Sequence, residues 1–332
     1  MDFTQKFTKS KLGDFADLVN EISGRIGFKV SSRGWCYLME QAGYIDKSQF
    51  DKVENAINNC RRQGILPVDF VAEEDARAFS GVEKPSDGEV EDTLKWMMSD
   101  VLDGAKYYTP DWWIGEEYYI QVLVEKIDLK TLFRGTCENY HIPVANAKGW
   151  SSILQRAEYS RRFKEAEEMG LKCVLIYCGD HDPDGLRISD TIRKNLEQIQ
   201  HVRWGDGEDG YDPSDLIIDR IGLNYDFILN NKYTWIDNLI TGSGKNLASR
   251  SHPNYKLPYL QDYLKSIGER KCEANAIVTT PDKARNLIDD SITKYLGDDA
   301  LGRFNLKTQA VKAEYAGLLE KTGLKSIIED LI

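Results

Sequence analysis

The chain has 332 residues, 41% hydrophobic and 29% charged, with a formal net charge of −11. That length allows two domains with cores of their own, and the acidic balance argues against unspecific nucleic-acid binding while leaving room for a metal-dependent nucleic-acid enzyme with local basic contacts. No apolar run nears the ~20 residues of a membrane span, the polar start MDFTQKFTKSKLGDF does not read as a signal peptide, and six Cys without a CxxC pair point to a reducing cytoplasm rather than to zinc or disulfides.

In chain order, the first ~80 residues read mainly as helices. KLGDFADLVNEISGRIG is the first. The segment SSRGWCYLMEQ, residues 31–41, is a second with a Ser cap. KSQFDKVENAINNCRRQG is a third, with Phe50, Val53, Ala56, Ile57 and Cys60 on one stripe and Gly64 as its stop. ILPVDFV follows as an extended piece. Three helices and a short strand suit a winged-helix DNA-binding module, although other small helical domains share that pattern. Over residues 24–64 seven basic residues, among them Arg33, Arg61 and Arg62, face four acidic ones, so Arg61 and Arg62 are candidate DNA contacts. GVEKPSDGEVED, rich in Gly, Pro and acid, is the expected boundary.

A βα rhythm then begins. Strands are expected over 118–124, 142–144 and 173–178, and helices over 128–140, 151–169 and 186–199. Such alternation predicts an α/β domain with a parallel sheet and helices on both faces. The first strand runs into Glu125. The third, CVLIYC, runs into GDHDPDG, whose carboxylates Asp180, Asp182 and Asp184 stand at alternate positions. Acids this close need a cation among them, or the loop is an acidic turn capping the next helix. A calcium EF-hand loop is excluded, because its twelfth position holds Thr191 rather than Glu and a strand precedes it. Parallel neighbours would bring Glu125 and the Asp-x-Asp pair to one sheet edge. An oxygen-only donor set there favours Mg²⁺, or Mn²⁺, shared with a phosphodiester or nucleotide.

Strand–Glu, strand–DxD and the intervening Lys148–Gly149 turn resemble a Toprim domain. The longer string Asp180-His181-Asp182-Pro183-Asp184-Gly185 is similar to that of the topoisomerase VI A subunit and the related meiotic double-strand-break transesterase. Two further stretches extend the resemblance. SSRGWCY is similar to the family's helix in which an Arg precedes the nucleophilic Tyr by four residues, and RKCEANAI (270–277) is similar to its basic–acidic–aliphatic motif. The likeness is nearest to compact, stand-alone A-subunit-like proteins. It implies cleavage of double-stranded DNA by a type IIB topoisomerase A-subunit-like enzyme. Tyr37 would attack the phosphate with Arg33 beside it, and Mg²⁺ would be held by Glu125, Asp180 and Asp182 with Asp184 in support. Lys148 would contact DNA. The resemblance also implies a homodimer in which the Tyr of one protomer meets the acids of the other, and a separate ATPase subunit for strand passage.

The chain is accordingly expected to divide into a winged-helix-like module (1–85) carrying Tyr37, a linker (86–115), a Toprim core (116–210) and a helical C-terminal extension (211–332). Other readings stand beside this one, among them a Glu125 that simply pairs with Lys126 or another surface base. Tyr37 shares the stripe Gly34–Tyr37–Leu38–Gln41 and fits a core position; the acids fit a hydrolytic metallonuclease, or a non-catalytic DNA-binding scaffold. ITGSGKNL lacks the first Gly and the Ser/Thr of a phosphate loop and reads as a turn. His181 reads as a phosphate donor or a solvent-facing loop residue. Glu273 reads as an outer acid of the metal site or a helix-face charge.

Overall fold

A computed structural model describes residues 9–72, 88–147, 152–207, 210–241 and 244–331. The chain forms two compact units, one of Met1–Glu73 with Glu117–Tyr295, the other of Glu74–Glu116 with Leu296–Ile332.

The larger unit opens with helices α1 (Lys9–Ile26), α2 (Ser32–Gln41) and α3 (Phe50–Arg62). Ser31 caps α2 as expected, its side chain accepting from the Gly34 amide. Phe50, Val53, Ala56, Ile57 and Cys60 of α3 are all buried, so the apolar stripe is the face packed against α1 and α2. The extended piece expected over 65–71 is a run of turns instead. Pro67 has no amide to give a ladder, its carbonyl accepts from the Phe70 amide, and Arg61 Nε donates to the Val68 carbonyl at 2.7 Å. The strand that a wing needs does not form there.

Four parallel strands follow: β1 (Tyr118–Val124), β2 (Val144–Asn146), β3 (Lys172–Cys178) and β4 (Ile217–Arg220). Their order is β2-β1-β3-β4. β1 and β3 are buried at every residue after the first, which requires cover on both faces. Helices α5 (Ile127–Asn139), α6 (Ile153–Glu168) and α7 (Ile188–Glu197) supply the crossovers. α6 is tied to β1 through polar groups inside the core: Gln121 Nε2 donates to the Tyr159 carbonyl at 3.1 Å, and the Tyr159 hydroxyl donates to the Val122 carbonyl at 2.8 Å. Because β1 connects outward to β2 while β3 returns on its other side, the chain reverses direction across the sheet between β1 and β3. Ligand crevices in open α/β sheets lie at the carboxyl ends of strands at such a reversal. Glu125 and Asp180 stand at that place.

The C-terminal stretch is not wholly helical. β4 extends the sheet beyond residue 210, and α8 (Tyr225–Asn231), α9 (Pro258–Ser266) and α10 (Pro281–Leu296) follow it. Between α9 and α10, the segment Lys271–Cys272 bridges back to Ile236 and His181, and the 3₁₀ turn Ala274–Thr279 packs under α2 and α5.

In the smaller unit, the stretch 86–115 expected as a linker contains helix α4 (Val90–Leu102) and a 3₁₀ turn, Gly104–Tyr107. α4 packs on α12 (Leu324–Leu331), and the 3₁₀ turn packs on α11 (Ala300–Lys321). Arg303 of α11 forks onto the Glu116 carboxylate, its Nη2 at 2.6 Å and its Nε at 3.1 Å. The Trp112 ring packs on Phe304 in a tilted arrangement, centroids 5.7 Å apart. Among the described residues no helix is long and apolar enough to cross a membrane, and all six cysteines are buried free thiols.

Candidate active site at the carboxyl edge of the sheet

The in-register pairing of Val124 with Cys178 sets the residues that follow β1 and β3 side by side. Glu125 Oε2 accepts the Asp180 amide at 2.7 Å, and the Glu125 amide donates to the Cys178 carbonyl at 2.9 Å. Two acids 55 residues apart in sequence thus share one sheet edge.

Their charge is met by an internal cation. The Lys126 ammonium lies 2.7 Å from Glu125 Oε1 and 2.9 Å from Asp180 Oδ2. Asp180 Oδ1 accepts the Ala274 amide at 2.6 Å. Burial raises the Glu125 carboxyl, but the Lys126 charge and the Asp180 amide more than offset this and hold it below its ordinary value. Asp180 goes the other way, raised first by burial and then by the charge of Glu125. One of the two acids therefore stays ionised at the other's expense, as expected of carboxylates that share a site.

The loop after Asp180 is fixed from several directions. Asp182 Oδ1 accepts the Gly185 amide at 2.6 Å, and the Tyr259 hydroxyl donates to Asp184 Oδ1 at 3.1 Å. A Cβ at Gly185 would fall on the Asp180 carbonyl oxygen, so only glycine lets the loop close this tightly. Arg220, at the end of β4, donates through Nη2 to the Asp180 carbonyl at 2.8 Å and through Nε to the Gly185 carbonyl at 3.1 Å. His181 is neither a phosphate donor nor a solvent-facing residue. It is 2% exposed, its Nδ1 lies 2.6 Å from the Leu223 carbonyl oxygen, and its backbone pairs with Cys272. Burial lowers its pKa, so it is neutral.

Helix α2 brings Arg33 and Tyr37 to this edge. Asp128, in the first turn of α5, receives the Ser31 amide on Oδ1 at 2.9 Å and the Ser31 hydroxyl on Oδ2 at 3.4 Å. It is 3% exposed and tethers the start of α2 to the α/β layer. Gly34 is the matching gap, since a Cβ there would strike the Asp128 carboxylate. Gly34→Ala is therefore expected to destabilise the chain by roughly 1–3 kcal/mol through overpacking, lowering the denaturation midpoint in a thermal or urea melt. An unchanged midpoint would mean that the tether carries no load.

Arg33 and Tyr37 lie one helical turn apart and share Phe50 as their support. The Arg33 guanidinium sits 4.7 Å over the Phe50 ring, and the Tyr37 ring meets it edge-on at 5.1 Å. Tyr37 is half-buried rather than a core residue. With Arg33 it lines a cleft of about 410 Å³ together with Glu125, Lys126, Asp128 and Asn275. A second cleft of about 440 Å³, lined by Glu125, Asp182, Asp184 and Arg187, continues along the same edge. Glu125 and Ala147 border both. The Tyr37 hydroxyl is pushed up to about 12, first by burial and then by the charge of Glu273, with Lys126 and Arg33 pulling it back.

Glu273 is buried rather than an exposed helix-face charge. It pairs with Lys47 and, at 3.2 Å, with Lys271, and its charge contributes to raising Asp180. Arg61 and Arg62 are placed elsewhere: Arg62 bonds Asn59 of its own helix at 3.2 Å and Arg61 holds the turn at Val68. Lys148 and Gly149 lie outside the described residues. In ITGSGKNL the described ends close on each other, the Thr241 amide donating to the Lys245 carbonyl at 2.8 Å, which is a turn. Pairing of Glu125 with its neighbour Lys126, the plain alternative to a metal site, is what forms, at 2.7 Å; no motif marks Asp128 or Arg220.

Among the described residues, no three His, Cys, Asp or Glu side chains converge on one point that would hold a metal. The donor chemistry nevertheless fits a hard divalent cation. Two carboxylate oxygens, Glu125 Oε1 and Asp180 Oδ2, already share one positive group, and Mg²⁺ is usually bound by one or two carboxylates with water and substrate phosphate completing its shell. Comparison with protein-family models, with curated proteins and with solved structures gave no match.

Proposed function

We propose that this chain is a divalent-metal-dependent DNA-cleaving enzyme of the topoisomerase VI A-subunit type, in which Tyr37 attacks a backbone phosphate. One observation carries the reading: Tyr37 and Arg33 open onto the same cleft as Glu125, whose carboxylate is joined to Asp180 at the reversal point of the sheet. Mg²⁺ or Mn²⁺ bound by Glu125 and Asp180, with Asp182 and Asp184 in support, would supply charge neutralisation at the phosphate. The chain's own residues do the rest. Arg33 clamps a phosphate oxygen and offsets the phenolate charge. The Tyr37 oxygen forms the new bond to phosphorus, and the displaced deoxyribose oxygen leaves with a proton, giving a phosphotyrosyl linkage and one free hydroxyl end. The two clefts that meet at Glu125 offer a track for the strand on either side of the scissile phosphate. A homodimer, as the resemblance implies, would present two such sites to a duplex, and strand passage would need a separate ATPase subunit. Incubation with supercoiled DNA and Mg²⁺, followed by denaturation, tests the reading: protein should remain joined to the DNA.

A second reading rests on the raised hydroxyl of Tyr37. Burial makes that phenol a poor nucleophile at neutral pH. A hydrolytic nuclease using the same acids would not need it. Only attack by Tyr37 gives an adduct, and the pH dependence of its formation reports on the hydroxyl. With a hydroxyl pushed up to about 12, its phenolate fraction rises about tenfold per pH unit across neutrality, so the rate of adduct formation should climb steadily between pH 7 and pH 9. A flat profile for adduct formation would show that the Tyr37 proton is not what limits attack.

A further inference from the structure

The Lys126 ammonium lies 2.7 Å from Glu125 Oε1 and 2.9 Å from Asp180 Oδ2, between the two carboxylates that would hold a divalent cation. An ammonium and a divalent ion cannot share a gap of that size, because like charges a few ångströms apart repel strongly and the Lys126 and Glu125 side chains are only 26% and 27% exposed. Lys126 also lines the cleft with Tyr37 and Arg33, and its charge already acts on the Tyr37 hydroxyl. A released side chain therefore has somewhere to go: its backbone caps the start of α5 and stays put, while its four-carbon stem can swing the ammonium into the cleft.

We propose that Lys126 is a built-in counter-ion that exchanges with the metal, so that metal binding delivers its ammonium to the cleft beside Arg33 and Tyr37. The inference rests on the reading of Glu125 and Asp180 as metal ligands. Lys126 is on this account a positioning residue. Without metal it neutralises the acid pair and keeps it from repelling itself; with metal it adds a second positive charge where a backbone phosphate enters. Loading of the acids and readiness of the phosphate cleft become one event.

The test is calorimetric titration of the full chain with Mn²⁺, without DNA, at pH 8, for wild type, Lys126→Met, Lys126→Arg and Asp180→Asn. Removing the competing ammonium should tighten Mn²⁺ binding about tenfold in Lys126→Met, the equivalent of one displaced ion-pair-sized interaction. Lys126→Arg should weaken it, because a guanidinium fork held by two carboxylates is harder to displace. Asp180→Asn should bind no Mn²⁺ at this place. Affinity in Lys126→Met equal to or weaker than wild type, with binding still lost in Asp180→Asn, overturns the exchange alone and leaves the acids as ligands. Binding unaffected by Asp180→Asn, or absent from every chain, overturns both. Should Lys126→Met fail to fold by circular dichroism, Lys126→Arg carries the decision, and wild-type affinity in that variant overturns the exchange.

Discussion

Tyr37→Phe should abolish the proposed covalent protein–DNA adduct while leaving the fold intact. The substitution removes one oxygen and keeps the ring, whose edge contact with Phe50 at 5.1 Å is what fixes it on α2. The neighbouring core residues Trp35, Cys36, Leu38 and Met39 do not depend on the hydroxyl. The expected loss is complete for the adduct, because no other described tyrosine lines this cleft and Tyr177, which borders the second, is only 1% exposed. Total cutting falls with it if Tyr37 is the nucleophile, as proposed. Cutting that persists at the wild-type rate in Tyr37→Phe, with both ends free, would assign the chemistry to water. Melting midpoints of the two proteins should agree, which separates a chemical effect from a folding one.

Asp180→Asn should lower the proposed cutting by roughly 10²- to 10³-fold or more, the scale of losing a central charge-stabilising group from an active site. Asn retains an oxygen to accept the Ala274 amide, so the loop should keep its shape. Stability should not suffer at neutral to alkaline pH, and the sign follows from the direction of the shift. Asp180 is raised in the folded chain, so the folded state holds that proton more tightly than the unfolded state does. In the metal-free protein, stability therefore falls as pH rises from the ordinary carboxylate range through the raised value. A neutral side chain escapes that loss. Metal should raise the wild-type melting midpoint by mass action and leave that of Asp180→Asn unmoved. Mixing Tyr37→Phe with Asp180→Asn chains adds a further discriminator. The cleft supports attack by Tyr37 on a phosphate held by its own chain, so the mixture should stay inactive; recovered cutting would assign the trans arrangement that the resemblance implies.

Much of this site is written in local sequence. Apolar runs of strand length ending in Glu125 and in Gly179–Asp180 give two parallel strands with acids at their carboxyl ends, and parallel neighbours can only place such ends together. Ser31 announces the start of α2, and four-residue spacing puts Arg33 and Tyr37 on one face. What escaped is what depends on distant partners. Arg220 clamps the acid loop from 40 residues downstream, Asp128 ties α2 down across 97 residues, and Glu273 reaches Lys47 across 226. No periodicity encodes such pairs. Short strands escaped for a different reason: β4 has only four residues and β2 only three, displaced two places from the expected 142–144, because hydrogen bonding to β1 rather than side-chain pattern decides where it runs. In α4 the signal was present in Val90, Leu94, Met97 and Val101, spaced four and three apart, but the Gly- and Pro-rich stretch before it invited a linker reading.

On the proposed function, Tyr37 becomes joined to DNA at the Glu125–Asp180 edge. The most direct measurement is mass spectrometry of the protein after reaction with DNA and Mg²⁺, exhaustive nuclease digestion and proteolysis. A peptide spanning Tyr37 should carry a phosphate-linked nucleotide on that residue. DNA cut to completion with every Tyr37 peptide unmodified would contradict it.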